Sequence, residues 1–596
     1  MKYVAPLTDI RFVINDVIDV QSVFARIEGG ADASADVVDA ILEEAAKFCE
    51  QVLAPTNAIG DEEGCHFDKA TGAVTTPQVF KDAYRRYVDG GWSGLVGAVE
   101  HGGQGMPETL GYVVKEMLES SNVAWGTYPL LSAGAIDALT HHGEAWQQQV
   151  FIPRIISGEW TGTMCLTEPH CGSDLGLLKT RAEPQADGSY QIHGTKIFIT
   201  AGDHDFSDNI VHLVLARLPD APAGTKGISM FIVPKFQVAR DGAVGARNAV
   251  KAGNIEHKMG LKGSATCVMN FDGAQGYLIG APNRGLNAMF TMMNTARLGV
   301  GMQGLGLIET SYQNAAAYAK DRLQMRSLKG PQRPDKPADP IIVHPDVRRM
   351  LLTQRALAEG GRAMCLHAAT LVDLVHRNKD PEAAKKADEY LSFLTPICKA
   401  FMTEAAIECT AHGIQVLGGH GYIREWGLEQ LSRDARITTI YEGTTQIQAI
   451  DLLGRKILAT GGAGLKHFLT EMVEFISQHQ QRTELVEFLP RLGAALKDWD
   501  VLTRDIAARA KAEPEELGAA AVDYLMYSGY VAMACWWLRM VEAVTRPGFA
   551  GTADFRTAKL AVARFYYDRL LPRTQLHAAG IRAGAKSLME LDAALF

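Results

Sequence analysis

Residues 440–447 read Ile-Tyr-Glu-Gly-Thr-Thr-Gln-Ile and set one carboxylate, Glu442, between an aromatic ring and a glycine. Nothing beside it has the spacing of a metal site or an activated nucleophile, so any chemistry there belongs to a lone acid. Taken alone, Glu442 also reads as a solvated or capping glutamate at a helix start, which the following Gly and Thr residues allow. A second stretch, Leu166-Thr-Glu-Pro-His-Cys-Gly-Ser-Asp174, places Gly, Ser and Thr after an apolar run. Such a loop offers backbone N–H groups and hydroxyls to a phosphate, and reads equally as a plain turn. Lys196-Ile-Phe-Ile-Thr200 brings an aromatic within one residue of a threonine hydroxyl, which by itself is core packing. Ala411 to Tyr422 ends a helical pattern in a glycine-rich turn, and its His412 and His420 lack Asp, Glu or Cys partners at ligand spacing, so no metal is expected.

One further motif misleads. Gly299-Val-Gly-Met-Gln-Gly304 matches G-x-G-x-x-G, with Asp321 at nearly the distance of a ribose ligand. The dinucleotide fingerprint requires a preceding strand and a βαβ unit. A Met-rich helical pattern precedes this one, so its glycines read as small residues that let two helices approach closely.

The elements that must carry these residues change texture along the chain. To about Trp160 the pattern is helical, as in VVDAILEEAAKFCEQVLAPTN, where apolar residues recur at three and four and stop at a proline. From there to about Gly280, short runs rich in Val, Ile, Phe and Thr alternate with turn residues, which is strand texture. Helical periodicity returns from Leu286 to about Leu458, Thr460 to Gly464 reads as a linker, and an Ala-rich helical segment follows. The expected fold is α+β, divided as 1–160, a helical domain with an extension; 161–280, a β domain; 281–459, a helical bundle; and 460–596, an additional helical domain.

The 596 residues are 47% apolar and 21% charged, an ordinary globular composition. A net charge of -9 argues against nucleic acid, which usually needs a basic face, and leaves room for a small anionic ligand. Nine scattered cysteines without a C-x-x-C pair exclude a zinc ribbon and point to a reducing compartment, so a cytoplasmic location is expected. The N-terminus carries Asp9 and Arg11 where a secretory core would be apolar. The most apolar stretch, Tyr524 to Leu538, is shorter than the roughly 20 residues that span a bilayer and reads as a buried or interface helix.

Taken in order and spacing, MCLTEPHCGSD, GTKIFIT, YAKDR, QVLGGHGYIREW and RDARITTIYEGTTQIQ resemble the acyl-CoA dehydrogenase family over roughly Trp92 to Leu458. The whole length is similar to its long bacterial subfamily, which includes fatty acyl-CoA and 3-methylthiopropanoyl-CoA dehydrogenases. The resemblance implies a β-barrel-like middle domain between helical domains, and non-covalent FAD. Leu166, Thr167 and Ser173 match positions that contact the flavin or its phosphates, with Ser173 also beside substrate. Phe198 and Thr200 match the pair along the ring, with Phe198 in place of a frequent tryptophan. A neighbouring subunit completes the site in the family. Arg322 matches the arginine that reaches the pyrophosphate, Gln415, Gly418 and Gly419 the turn around the ADP part, and Thr444 and Gln446 contacts from the Glu442 loop. A homodimer or tetramer is therefore implied.

By the same resemblance Glu442 is the catalytic base, taking the α-proton of an acyl-CoA thioester while the β-hydrogen leaves as hydride to flavin N5. Gly443 lets substrate and flavin approach, Arg297 helps bind CoA, and Asn294 stands where many members carry Asp. Some relatives take their base from the position of Ala296, which cannot act as one. The implied substrate is a medium or long straight-chain acyl-CoA, the alternative 3-methylthiopropanoyl-CoA. The implied acceptor is an electron-transfer flavoprotein, with O2, as in an acyl-CoA oxidase, as the alternative. A relative that binds acyl-CoA without turnover is the reading from another class, and the retained Glu442 and FAD positions speak against it.

Overall fold

The computed structural model describes residues 1–596. The chain forms two compact units, one of residues 44–111 and 117–299, the other of 1–43, 112–116 and 300–596.

The first of these units contains a seven-stranded sheet. Its strands run in the order Trp160–Cys165, Asn209–Ala216, Ser229–Pro234, Thr266–Ile279, Tyr190–Thr200 and Arg181–Pro184, with Val250–Ile255 also paired to Thr266–Ile279. Only Trp160–Cys165 and Asn209–Ala216 pair in parallel. The long strand Thr266–Ile279 turns from one neighbour to the next. Its last three residues pair with Ser229–Pro234 and the rest with Tyr190–Thr200, with register shifts at Cys267/Met269 and Asp272/Ala274. Each shift is an extra residue that bends the strand. Cys165, Ile192, Val214, Phe231, Val250 and Phe271 fill the interior of this curved sheet. The N-terminal stretch also holds a two-stranded ladder, His66–Phe67 with Val74–Thr75, which the helical pattern did not announce because each strand has two residues.

The other unit is helical. Gly285–Asp321, which belongs to it from Val300, packs with Pro345–Arg377 and Pro381–Leu417. A Cβ at Gly301 would meet the Cys398 carbonyl oxygen at 3.0 Å, and one at Gly304 the Met402 carbonyl oxygen at 2.7 Å. The G-x-G-x-x-G match is thus a helix–helix contact in which backbone approaches backbone. The apolar stretch 524–538 lies in the buried helix Glu515–Thr545, and no helix is long and apolar enough to cross a membrane.

Residues 1–43 fold with the C-terminal helices rather than with 44–111, through apolar packing, such as Phe12 against Phe549 and Phe555, and through polar contacts. The Lys2 backbone N–H donates to Asn314 at 3.0 Å and the Val4 N–H to Gln313 at 3.0 Å. Deeper in, the Arg362 guanidinium donates to Glu116 at 2.7 Å, to Glu309 at 2.8 Å and to Asp9. Lys559 Nζ donates to Glu359 at 2.8 Å and to Asp9. Burial alone would raise the Asp9 pKa, and the charges of Lys559 and Arg362 overcome it and hold the group ionised. The Arg362 and Lys559 side chains are each 1% exposed, so removing either leaves buried carboxylates unbalanced. Arg362→Leu is expected to lower the unfolding free energy by about 3–5 kcal/mol, read as a lower urea midpoint with an unchanged sheet signature in circular dichroism.

Candidate active site

Glu442 lies between the helices Leu428–Thr438 and Thr445–Ile450. The cap of the second helix is Thr444, whose hydroxyl accepts from the Ile447 N–H at 3.2 Å. The capping reading of Glu442 therefore fails, and the side chain is half-buried rather than solvated. Its φ is +54°, a left-handed conformation, and Gly443 follows at +89°. A residue with a Cβ pays roughly 1–2 kcal/mol there, so the surroundings must hold it.

They do so from three elements. Tyr441 donates its hydroxyl to Gln303 Oε1 at 2.5 Å, on the helix Gly285–Asp321. Gln448 Nε2 donates to the Glu442 carbonyl at 2.8 Å. Lys399 Nζ, from Pro381–Leu417, donates to the Gly443 carbonyl at 2.7 Å, and the Thr445 hydroxyl donates to Glu404 on the same helix. A Cβ at Gly443 would lie 2.6 Å from Gln448 Nε2, so the glycine is needed for space as well as for its φ.

In the same unit, Arg322, Gln415, Gly418 and Gly419 are all exposed. Gly418 ends the long helix at φ +62°, and a Cβ on Gly418 or Gly419 would meet nothing within 4 Å. This is bare backbone that leaves room for a ligand to approach. His420 Nδ1 pairs with the Tyr318 hydroxyl at 3.0 Å and its ring stacks on Trp426, while His412 lies 3.4 Å from Glu408. A carboxylate thus does stand four residues before His412, contrary to the sequence reading, but Arg573 holds it with two 2.7 Å bonds.

Gln446 also lies in the helical unit, exposed and donating to the Gly518 carbonyl at 3.4 Å, and the remaining sequence-predicted residues lie in the sheet unit. Opposite the register shift at Cys267/Met269, two residues of Tyr190–Thr200, Ile197 and Phe198, face one, so the strand bulges. Phe198 sits at φ +57° and is 60% exposed, its ring turned out of the core. The Ile197 N–H donates to the Thr167 carbonyl at 2.9 Å, and the Thr163 hydroxyl donates to the Thr200 carbonyl at 2.8 Å. Lys196, fully buried, donates to the Leu166 carbonyl and to Glu168, each at 2.9 Å. Glu168 also accepts from the backbone of Lys179 and Thr180 and from the Thr180 hydroxyl. Leu166, Thr167, Phe198 and Thr200 are thereby one rigid group, with Ser173 exposed on the same loop. Glu168, His170 and Cys171 have ligand atoms within 4.8 Å of one another, yet the bonds to Glu168 already occupy its oxygens. On Gly285–Asp321, Asn294 is exposed and Arg297 only 5% so.

The sheet unit offers an exposed flat ring and a hydroxyl-rich loop, and the helical unit an exposed arginine and bare glycine backbone; each group is of a kind that suits part of FAD. Four family models match in succession: acyl-CoA dehydrogenase N-terminal domain at 36–159, middle domain at 163–274, C-terminal domain at 283–458, and acetyl-CoA dehydrogenase C-terminal like at 468–592. A 3-methylmercaptopropionyl-CoA dehydrogenase of Ruegeria pomeroyi is 42% identical over 96% of both chains. The chain belongs to the acyl-CoA dehydrogenase family. It is an oxidoreductase, with FAD as the cofactor expected of it. A broad-specificity linear acyl-CoA dehydrogenase of Mycobacterium tuberculosis is 36% identical over 95% of both chains. The fold matches that of a Bacillus anthracis acyl-CoA dehydrogenase complexed with FAD, with a TM-score of 0.74, 19% identity and coverage of 94% and 90%.

The sequence reading did not single out Lys196, Glu168, Lys399, Gln303 or Gln448. For Lys399 a signal was present, a lysine inside the apolar run Ile397-Cys-Lys-Ala-Phe-Met402. Burial raises the pKa of Glu168, but the Lys196 charge and the bonds from Thr180 and Lys179 bring it down from an ordinary 4.5 to about 2. Its stabilising effect is therefore full above pH 4.5 and is lost as pH falls toward 2. Glu168→Gln is expected to destabilise the protein by about 3 kcal/mol at neutral pH, with the difference from wild type shrinking below pH 4 in acid-unfolding curves.

Proposed function

We propose that the chain removes two hydrogens from a saturated, unbranched acyl-CoA to give the trans-2-enoyl-CoA, with Glu442 as the catalytic base. The observation that carries this reading is the half-buried Glu442 itself, held left-handed by three neighbouring elements and not used as a cap. Bound FAD supplies the hydride acceptor. The protein's part is to hold the thioester with its α-carbon against the Glu442 carboxylate, which takes the proton, typically a contribution of ~10²–10⁴-fold. The backbone N–H of Glu442 is the proposed donor to the thioester oxygen, where negative charge develops. Gly443 leaves room for the reacting atoms, while Arg297 and Asn294, with Ser173, are the proposed contacts to CoA.

For FAD, Leu166, Thr167, Ser173, Phe198 and Thr200 hold the ring and its near phosphate. Arg322, Gln415, Gly418, Gly419, Thr444 and Gln446 serve the cofactor of a second copy, so the working form is a homodimer or a dimer of dimers. The exposed Met325 and Tyr422, 77% and 82% accessible and close in sequence to Arg322 and Gly419, support a covered face there. The proposed domains are 1–160, of which residues 1–43 pack with the C-terminal helices, then 161–280, 281–459 and 460–596. The acceptor is an electron-transfer flavoprotein, and peroxide formation in air would indicate O2 instead.

The relatives' names share an unbranched acyl group, which supports that substrate class. The 42% relative favours the thioether 3-methylthiopropanoyl-CoA as a second reading. Anaerobic titration of the yellow protein with straight-chain acyl-CoAs of increasing length and with 3-methylthiopropanoyl-CoA, following bleaching near ~450 nm, separates them by the more efficient ligand. A holoprotein that no thioester bleaches would overturn the dehydrogenase reading. Glu442→Gln is expected to keep FAD and acyl-CoA binding and to lose at least ~10²-fold in flavin reduction. Arg322→Ala is expected to lower flavin content after purification, and full retention would remove the shared site.

A further inference from the structure

We infer that Lys399 and Gln448 are positioning residues for the base, acting on its backbone rather than on substrate. The inference rests on the reading of Glu442 as the base. Glu442 and Gly443 are consecutive left-handed residues, so their carbonyls leave the direction of the preceding helix and cannot join its hydrogen-bond ladder. Side chains receive both instead. Gln448 takes the Glu442 carbonyl at 2.8 Å and Lys399 the Gly443 carbonyl at 2.7 Å.

Both holders are themselves immobile. Lys399 and Gln448 have no exposed surface, and they come from different helices, Pro381–Leu417 and Thr445–Ile450. Two fixed donors on consecutive carbonyls define both peptide planes around Gly443. They therefore set the direction of the Glu442 Cα–Cβ bond, and with it the place of the carboxylate. A glycine at 443 is free to turn in almost any direction. Without the two donors, the residue that gives the base room to react would also let it wander.

The lysine is the more informative of the pair. A buried ammonium is costly unless it is bonded, and a neutral donor would satisfy a carbonyl at lower cost. Its charge strengthens the bond to the Gly443 oxygen, which suits a segment that must not shift while a proton and a hydride move. Glu404, five residues further along the same helix, takes the Thr445 hydroxyl, so a single helix grips the loop on both sides of Thr444.

The test is single-turnover flavin reduction by stopped flow under anaerobic conditions, using holoprotein and whichever thioester bleaches wild type fastest. Lys399→Met and Gln448→Leu are each expected to slow reduction about 10–100-fold, the scale of an ångström-sized misplacement. The acyl-CoA concentration for half-maximal rate should stay within about twofold of wild type, and flavin content should be unchanged. Lys399→Arg, which keeps a charged donor, should recover part of the rate. Glu442→Gln is measured alongside. If that variant reduces flavin normally, the assignment of the base fails. If it is dead while both Lys399→Met and Gln448→Leu run within threefold of wild type, the positioning role alone is overturned. Parallel loss of flavin, acyl-CoA affinity and rate in both variants would reduce the pair to ordinary structural contacts and overturn it as well. Should Lys399→Met fail to fold, Gln448→Leu decides by the same criteria, because it removes one donor without touching a charge.

Discussion

A glutamate at φ +54° is the constraint on which the rest of the catalytic unit depends. Non-glycine residues stay in that region only where the surroundings over-determine them. Three helices converge on residues 441–445, each with a side chain that bonds one group of the loop. The close packing of Gly301 and Gly304 against the Cys398 and Met402 carbonyls brings Gly285–Asp321 and Pro381–Leu417 together, so Gln303 and Lys399 hold the loop from two helices in direct contact. The small-residue stripe is thus part of how the loop that carries Glu442 is held.

The sheet unit solves a similar problem by different means. Phe198 is again left-handed, but a bulge turns it outward, and the neighbours of the bulge are tied down by Lys196, Thr163 and the Thr167 carbonyl. In each unit a buried lysine bonds the carbonyl of a residue beside the functional one, Leu166 in one and Gly443 in the other. A buried ion is weak ground for stability, since apolar packing of equal volume often does as well. What an ammonium adds is direction, because its bonds fix particular oxygens. Arg362 and Lys559 do the same at larger scale, joining residue 9 to helices that lie hundreds of positions away in sequence.

The residues proposed to act on ligands stand out in the sequence because they cluster in short motifs with Gly, Thr and an aromatic in fixed order. The change from helical to strand texture near Trp160 was legible because it is a change of period. Other features were hidden for identifiable reasons. The placement of residues 1–43 depends on partners hundreds of positions away, polar at Asn314, Gln313 and Arg362 and aromatic at Phe549 and Phe555, which the periodicity of neither segment names. The bulge at Phe198 depends on a mismatch with Val268, a strand partner seventy residues on, so neither segment shows it alone. The cap reading of Glu442 falls only in the structure, where Thr444 occupies the cap.

The cap reading of Glu442 fails on a hydrogen bond that Thr444 makes. Thr444 belongs to the residue types that favour a helix N-cap, and a helix start accepts one cap. Thr444 can serve as that cap because its ψ of 163° is extended and its short side chain reaches the Ile447 N–H. Glu442, two residues earlier and left-handed, lies outside the helix that Thr444 closes. The side-chain bonds to the carbonyls of residues 442 and 443 fix the backbone from which its side chain leaves.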